Sequence, residues 1–269
     1  MYAFAVLGDG AEDALERLLP ELDGRVGTVR VGARSTDGGV AAVHGDTEYV
    51  LDDGWRASGD GLTLGETLDR LAPNHDYAAV IGTADGDLPA IVVDGHPDDQ
   101  AEPLVAVDDA ADLDADAVVD TIRATEPHET LESLVADIKR SSKADYAGAI
   151  ATFTGRVRAK EDADDERTRF LEFEKYEGVA EERMRTIESE LEERDGILDV
   201  RLHHRTGRIP DGEDIVFVVV LAGHRREAFR AVEDGIDRLK DEVPLFKKEV
   251  TEGDTFWVHE REEARGGSE

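Results

Sequence analysis

The sequence predicts a small α/β domain followed by an α+β domain, with an acidic linker between them. Apolar residues follow strand and helix periods through residues 1–97 and again through 126–262. From Asp98 to Asp120 the chain is rich in Asp and Ala and has no Lys or Arg. The expected division is therefore a first domain over 1–97, a linker over 98–125, a second domain over 126–262 and a disordered tail over 263–269. No internal repeat is visible.

In the first domain, Ala3–Leu7 is an apolar strand. Leu15, Leu18, Leu19 and Leu22 then mark one helical face. Val26–Val31 and Tyr49–Leu51 read as short strands, Leu64–Ala72 as a helix, and Tyr77–Ile81 and Ala90–Val93 as buried strands. Strands alternating with helices predict a layered α/β fold. One short helix is expected from Asp114 to Ala124, inside the linker.

The second domain is patterned more strongly. Leu131, Leu134, Val135 and Ile138 describe an amphipathic helix, and Tyr146–Thr154 a strand ending at Gly155. Leu171 and Phe173 alternate with Glu172 and Glu174, as in a half-exposed strand. Ala180, Met184, Ile187 and Leu191 define a long helix stopped at Asp195-Gly196. Val200 and Leu202 alternate into His203-His204-Arg205. Ile215–Leu221 is an unbroken apolar run, so it is expected at the centre of a sheet. Phe229, Val232, Ile236 and Leu239 form the face of a last helix, which Pro244 closes.

Charge is the loudest compositional feature, with 64 acidic against 31 basic residues and a formal net charge of −33. A dense carboxylate surface suits a halophilic acidic protein, soluble at high salt that screens its self-repulsion. Nucleic acid is an unsuitable partner for such a surface. No segment is apolar enough to span a membrane, and the acidic start lacks the basic n-region of a signal peptide. A cytoplasmic protein is expected. There are no cysteines, which excludes disulfides, Cys-ligated metals and any sulfur carried on a thiol of this chain.

Lysine is scarce, with seven lysines against 24 arginines and none before Lys139. Three of the seven fall between positions 240 and 248. Only lysine readily acts as an amine or gives up its proton, so the cluster points to chemistry. It is one of three basic elements. The others are Thr154-Gly155-Arg156-Val157-Arg158, after a strand, and Gly223-His224-Arg225, at a helix start where free N–H groups favour an anion. Residues 201–248 hold ten bases and nine acids, near neutrality in an otherwise acidic chain. Each element alone is equally readable as a surface arginine, a helix cap or a complement to a helix dipole. His203 and His204 build no metal site, because adjacent strand side chains point to opposite faces.

In their order and spacing these stretches resemble the large, catalytic subunit of molybdopterin synthase. The matching segments are GAIATFTGRVR (148–158), LEFEKYEG (171–178), HHRTGRIPDGEDIVFVVVLAGHRREAF (203–229) and IDRLKDEVPLFKKE (236–249). The resemblance implies an alpha/beta hammerhead fold and a sulfurtransferase of molybdenum cofactor biosynthesis. Its substrate would be cyclic pyranopterin monophosphate, converted to molybdopterin by insertion of two sulfurs. The sulfur would come from the C-terminal thiocarboxylate of a small ubiquitin-like carrier subunit, with no cofactor and no metal. Lys240 and Lys247 take the catalytic positions. Arg156, Val157, Arg158, His224, Arg225, Lys248 and Glu249 take the substrate-binding ones. The family's assembly implies a homodimer core within a heterotetramer.

The first domain resembles the P-loop adaptor protein of molybdopterin-guanine dinucleotide biosynthesis, in its strand–loop–helix start and in TLDRLAPNHDYAAVIG (67–82). Its loop, Gly8-Asp9-Gly10, leads into Ala11-Glu12-Asp13-Ala14 and lacks the G-K-[ST] ending that grips phosphate and magnesium. A degenerate P-loop-like domain is the expectation. Two other functional classes fit parts of the sequence. One is a non-catalytic scaffold or regulator of cofactor biosynthesis, and the other is a nucleotide-binding protein acting through the first domain.

Overall fold

The computed structural model describes residues 1–32, 47–51, 53–59, 61–82, 88–95, 103–160, 162–176, 178–251 and 255–257. The chain forms two units, Met1–His128 and Glu129–Glu269. The expected tail, 263–269, lies outside the described residues.

The first unit runs β1 (Tyr2–Leu7), α1 (Ala11–Leu18), β2 (Val26–Arg30), β3 (Thr47–Leu51), β4 (Trp55–Gly59), α2 (Leu64–Leu71), β5 (Tyr77–Ile81), β6 (Ala90–Val93), β7 (Val105–Val107) and α3 (Ala115–Arg123). Five of these strands form one sheet in the order β2-β5-β1-β6-β7, every neighbouring pair parallel. β3 and β4 pair separately as an antiparallel hairpin. A sheet buried on both faces needs continuous apolar strands, and β5 and β6 supply them with every residue except Ile81 buried.

The linker expectation is corrected here. Leu104–Val107 completes the sheet edge, and Leu113, Val118, Val119 and Ile122 are buried against α1 and β1 residues in the same core. Asp109 and Asp114 are not linker residues either. Their carboxylates accept from the N–H groups of Ala111 and Ala117 and cap the turn and helix that follow. The unit closes where the His128 N–H donates to the Met1 carbonyl and its ring meets Asp69 at 2.8 Å.

The second unit runs α4 (Leu131–Lys139), β8 (Ala149–Arg156), β9 (Thr168–Lys175), α5 (Val179–Glu192), β10 (Ile197–His204), β11 (Gly207–Pro210), β12 (Asp214–Ala222), α6 (Arg225–Glu242), β13 (Leu245–Thr251) and β14 (Thr255–Trp257). It is an α+β mixture of two antiparallel sheets, β10-β12-β8 and β11-β9-β13-β14. β12 is central, as its unbroken apolar run requires, and is buried from Ile215 to Ala222. One face packs on α5 and α6, while Phe217, Val219 and Leu221 on the other meet α4. The buried stripe of α6 is Ala228, Ala231, Val232, Gly235, Ile236 and Leu239. Phe229 was expected on that stripe but is 65% exposed. Ala228, one residue earlier, takes the inward position.

β10 is an edge strand, and α5 closes it. The main-chain N–H of Leu202 donates to Glu188 at 2.6 Å and that of Val200 to Glu192 at 3.1 Å. Burial pushes the Glu188 carboxyl up from 4.5 to about 7, against the lowering effects of the Leu202 N–H and Arg201. A carboxyl that holds its proton more tightly when folded favours the fold at low pH. That stability is lost as the pH rises from about 4.5 through about 7. Glu188→Gln keeps the acceptor and removes the charge. Thermal unfolding of the variant is expected to match the wild type at pH 5 and to occur a few degrees higher at pH 8. An equal displacement at both pH values would contradict this account.

Candidate active site

Two cavities that share a wall open on the second unit. The larger, about 850 Å³, is lined by the end of β8 and the following turn, the C-terminal turns of α6, and β13. Phe153, Phe173, His204, Ile236, Leu239, Val243 and Leu245 give it an apolar side. Arg156, Arg158, Lys240 and Lys247 give it a cationic one. The smaller, about 160 Å³, shares Arg156, Arg158, Phe173, Ile215 and Lys247 with it and adds Asp165, Glu166, Thr168 and Glu249.

Each cation arrives by a different route. Pro244 ends α6 just beyond Lys240, and the chain returns as β13, antiparallel to β9. In that register Lys247 lies opposite Phe173 and Glu249 opposite Leu171. Residues two apart on a strand share a face, so Lys247 and Glu249 point into the cavity with buried Phe173 and Leu171. The same alternation sends Lys248 outward. Its ammonium pairs with Glu172 on the opposite strand at 3.0 Å, and Lys248 lines neither cavity.

At the end of β8, Arg156 is anchored by Asp214 at 3.2 Å and by the Gly212 carbonyl. Val157 is buried and exchanges main-chain hydrogen bonds with residues 212 and 213. This pins the turn that presents Arg158. Among the described residues, Arg158, Lys240 and Lys247 make no ion pair. In a chain with twice as many acids as bases, three such cations around one groove are a strong electrostatic signature of an anionic ligand.

His224 and Arg225 stand elsewhere in the unit. They begin α6, whereas Lys240 lies in its last turn. Fifteen residues of helix separate Arg225 from Lys240, about 22 Å at 1.5 Å per residue. Neither residue lines either cavity. A close main-chain approach holds this end of α6. Gly148 and Gly223 pack so tightly that a Cβ on Gly148 would lie 2.4 Å from the Gly223 carbonyl oxygen.

Four lining residues are not candidates for the site on sequence grounds, namely Phe153, Phe173, His204 and Thr168. His203 and His204 do face opposite ways, with His203 stacked on Phe217 and His204 edge-on to Phe173 at 4.7 Å. Burial holds the His204 imidazole down at about 4, with Lys175 adding to the effect. Its Nδ1–H donates to the Arg205 carbonyl at 2.8 Å, so near neutral pH Nε2 keeps a lone pair. Alternation of Phe173 with glutamates gave the strand, but not the β13 partner that turns Phe173 toward the groove.

The comparisons with known proteins point the same way. Residues 125–242 match the family model described as MoaE protein. A protein of Haloferax volcanii called "Probable molybdopterin synthase" is 51% identical over 267 residues, covering 97% of this chain and 100% of that one. The chain belongs to the molybdopterin synthase catalytic subunit family. Family members called "Molybdopterin synthase catalytic subunit" from Cereibacter sphaeroides and Bacillus subtilis are 41% and 39% identical, over 43% and 45% of this chain and 77% and 75% of theirs. Among solved structures, molybdopterin synthase from Staphylococcus aureus aligns with 49% of this chain and 91% of that chain, at 32% identity and a TM-score of 0.43.

The groove's charge gives a direct prediction. Arg158→Ala should weaken binding of inorganic pyrophosphate about tenfold, the loss of roughly 1.5 kcal/mol expected for a charged hydrogen bond. Titration calorimetry of the full chain at fixed salt measures it. An unchanged affinity would remove Arg158 from the anion site.

Proposed function

We propose that this chain is the catalytic subunit of a molybdopterin synthase, converting cyclic pyranopterin monophosphate to molybdopterin with two sulfurs from a thiocarboxylated carrier subunit. The observation that carries this reading is the meeting of Lys240, Lys247 and Arg158, without ion pairs among the described residues, at a groove with one apolar side. A guanidinium and two ammonium groups suit a phosphate and the negative charge that develops as sulfur adds. The apolar side suits the extended tail of a carrier. Sulfur must come from outside, because the chain has no cysteine. In this reading Lys240 handles protons or the carrier's terminal carbonyl, and Lys247 stabilises negative charge. Lys240→Ala, mixed with thiocarboxylated carrier and pterin precursor at high salt, should lose at least about a hundredfold in molybdopterin formed, as when a general acid–base group is removed. Transfer at the wild-type rate would rule that role out.

His224 and Arg225 join this site most simply from a second copy. Among the described residues β8 is paired on one side only, and the segment ATFTG itself carries no charge or proline, unlike the edge of β10 that α5 caps. Two β8 strands pairing antiparallel about a two-fold axis between Thr152 and Phe153 would set Ala149 beside Arg156 of the partner subunit. Ala149 pairs with Ala222, and Gly148 bonds to the Ala222 carbonyl. Ala222 would then lie about 10 Å, two strand spacings, from the partner's Arg156, with His224 two residues farther along the chain. The groove of each subunit would take its helix-start cations from the other. The test is complementation. Lys240→Ala and Arg225→Ala dimers, each inactive, should recover about a quarter of wild-type activity when re-formed as mixed dimers, since one intact site returns in half of them. No recovery would place both residues in one subunit's site.

The first unit is read as a degenerate P-loop-like domain that does not turn over nucleotide. Three residues, Gly8 to Gly10, join β1 to α1, and Gly8 has φ +97° with its Cα packed on the end of β6. A Cβ there would lie 1.8 Å from the Val93 carbonyl oxygen. Glu12 and Asp13 occupy the first turn of α1, and Glu12 is spent on Arg30 at 2.8 Å. The full chain should therefore show no saturable GTP binding below millimolar concentration. Micromolar binding would overturn this reading.

A further inference from the structure

The smaller cavity holds a second polar group that the sulfur chemistry leaves unused. Its walls carry Asp165, Glu166 and Glu249 beside Arg158 and Lys247. Two of these carboxylates are oriented by buried hydroxyls. Thr168, 4% exposed, donates to Glu249, and Thr251, 8% exposed, donates to Glu166 at 3.0 Å. The arrangement depends on a bulge. β9 and β13 pair in register from Lys175 to Phe170, and the register then shifts so that Thr251 faces Thr168. Arg169 is the extra residue. Without it Thr168 would point to the face opposite Leu171 and Phe173, whereas here it lines the same cavity.

A cavity lined by both cations and hydroxyl-oriented carboxylates fits a ligand that is an anion at one end and a hydrogen-bond donor at the other. The substrate class named above has that polarity. Its phosphate is the anionic end, and its 2-amino-4-oxopyrimidine edge presents an amino group and a ring N–H side by side. Two adjacent donors match the two oxygens of one carboxylate. We propose that Glu249, positioned by Thr168, reads the aminopyrimidinone edge of the pterin, and that the Glu166–Thr251 pair forms the adjoining wall. Arg158 and Lys247 then face the phosphate side, so the substrate enters in one orientation. This inference rests on the molybdopterin synthase reading and assigns the specificity of that site.

Selectivity tests it independently of catalysis. A phosphate-free pterin and the matching lumazine differ at position 2, where the amino donor becomes a carbonyl acceptor. A carboxylate accepts from the first and repels the second, whereas an amide accommodates both. The wild-type chain at high salt should bind 6-hydroxymethylpterin at least tenfold more tightly than 6-hydroxymethyllumazine. In Glu249→Gln the ratio should fall to within about threefold. Thr168→Val should narrow the ratio partway, and Thr168→Ser should restore it, which a merely structural role would not do. A ratio is insensitive to a fraction of unfolded protein. A Glu249→Gln ratio equal to the wild type's, or a wild-type ratio near one, overturns the proposal. If the wild type meanwhile forms molybdopterin from thiocarboxylated carrier, only this inference has failed. If it forms none, the functional reading has failed separately.

Discussion

The register of β13 on β9 is the constraint on which the site depends. Lys247 opposite Phe173 and Glu249 opposite Leu171 put one lysine and one glutamate into the groove and leave Lys248 outside with Glu172. A slip of one residue would reverse all three and bring Lys248 inward. Two features hold the register. Pro244 stops α6 and starts the return, and Leu245 packs against the main core of the unit. The outer pair of Lys248 and Glu172 adds a cross-strand contact of opposite charge. The same pairing that delivers Lys247 thus removes the neighbouring lysine from the chemistry.

A second constraint is electrostatic. A groove lined by Arg156, Arg158, Lys240 and Lys247 sits in a chain of net charge −33. Carboxylates of the same unit are occupied by its arginines and lysines. Glu242, two residues beyond Lys240, is held by Arg183 and Arg238, and these arginines lower its carboxyl below the usual range. Asp214 is held by Arg156, and Glu181 by Lys175. These pairs are all partly open to solvent, where an ion pair contributes little to stability. Their effect is on potential, because each leaves one fewer free negative charge beside Lys240, Lys247 and Arg158.

Much of this was legible in the sequence where periodicity is strong. The apolar run of β12, the stripe of α5 and the proline after α6 all correspond to observed elements, and lysine scarcity draws attention to the cluster of Lys240, Lys247 and Lys248, of which the first two line the groove. The failures have physical causes. Residues 103–123 look like an acidic linker because Asp109, Asp114 and their neighbours dominate the composition. Yet those two aspartates are caps, and the core of α3 is only Val118, Val119 and Ile122. In a chain this acidic, charge density stops marking disorder. Phe229 was misplaced because aromatic size suggested burial, while small Ala228 and Ala231 let α6 approach the sheet. Thr168 was invisible because a bulge leaves no trace in hydrophobic alternation.

The division of the groove also bears on how two large molecules could share it. Its apolar residues, among them Ile236, Leu239, Val243 and Leu245, come from the end of α6 and the start of β13. Its carboxylates, from Glu166 and Glu249, line the smaller cavity and not the larger one. Lys247, Arg156, Arg158, Phe173 and Ile215 belong to both cavities, whereas Lys240 belongs to the larger one alone. An extended tail that buries apolar surface is favoured on the first side, and a polar heterocycle with hydrogen-bond donors on the second. Only the shared wall touches both occupants. Under the proposed function, Lys247 would stand where a sulfur atom passes from carrier to pterin, and Lys240 on the carrier's side of that passage. The two lysines would then have different tasks, although the sequence presents them as a pair.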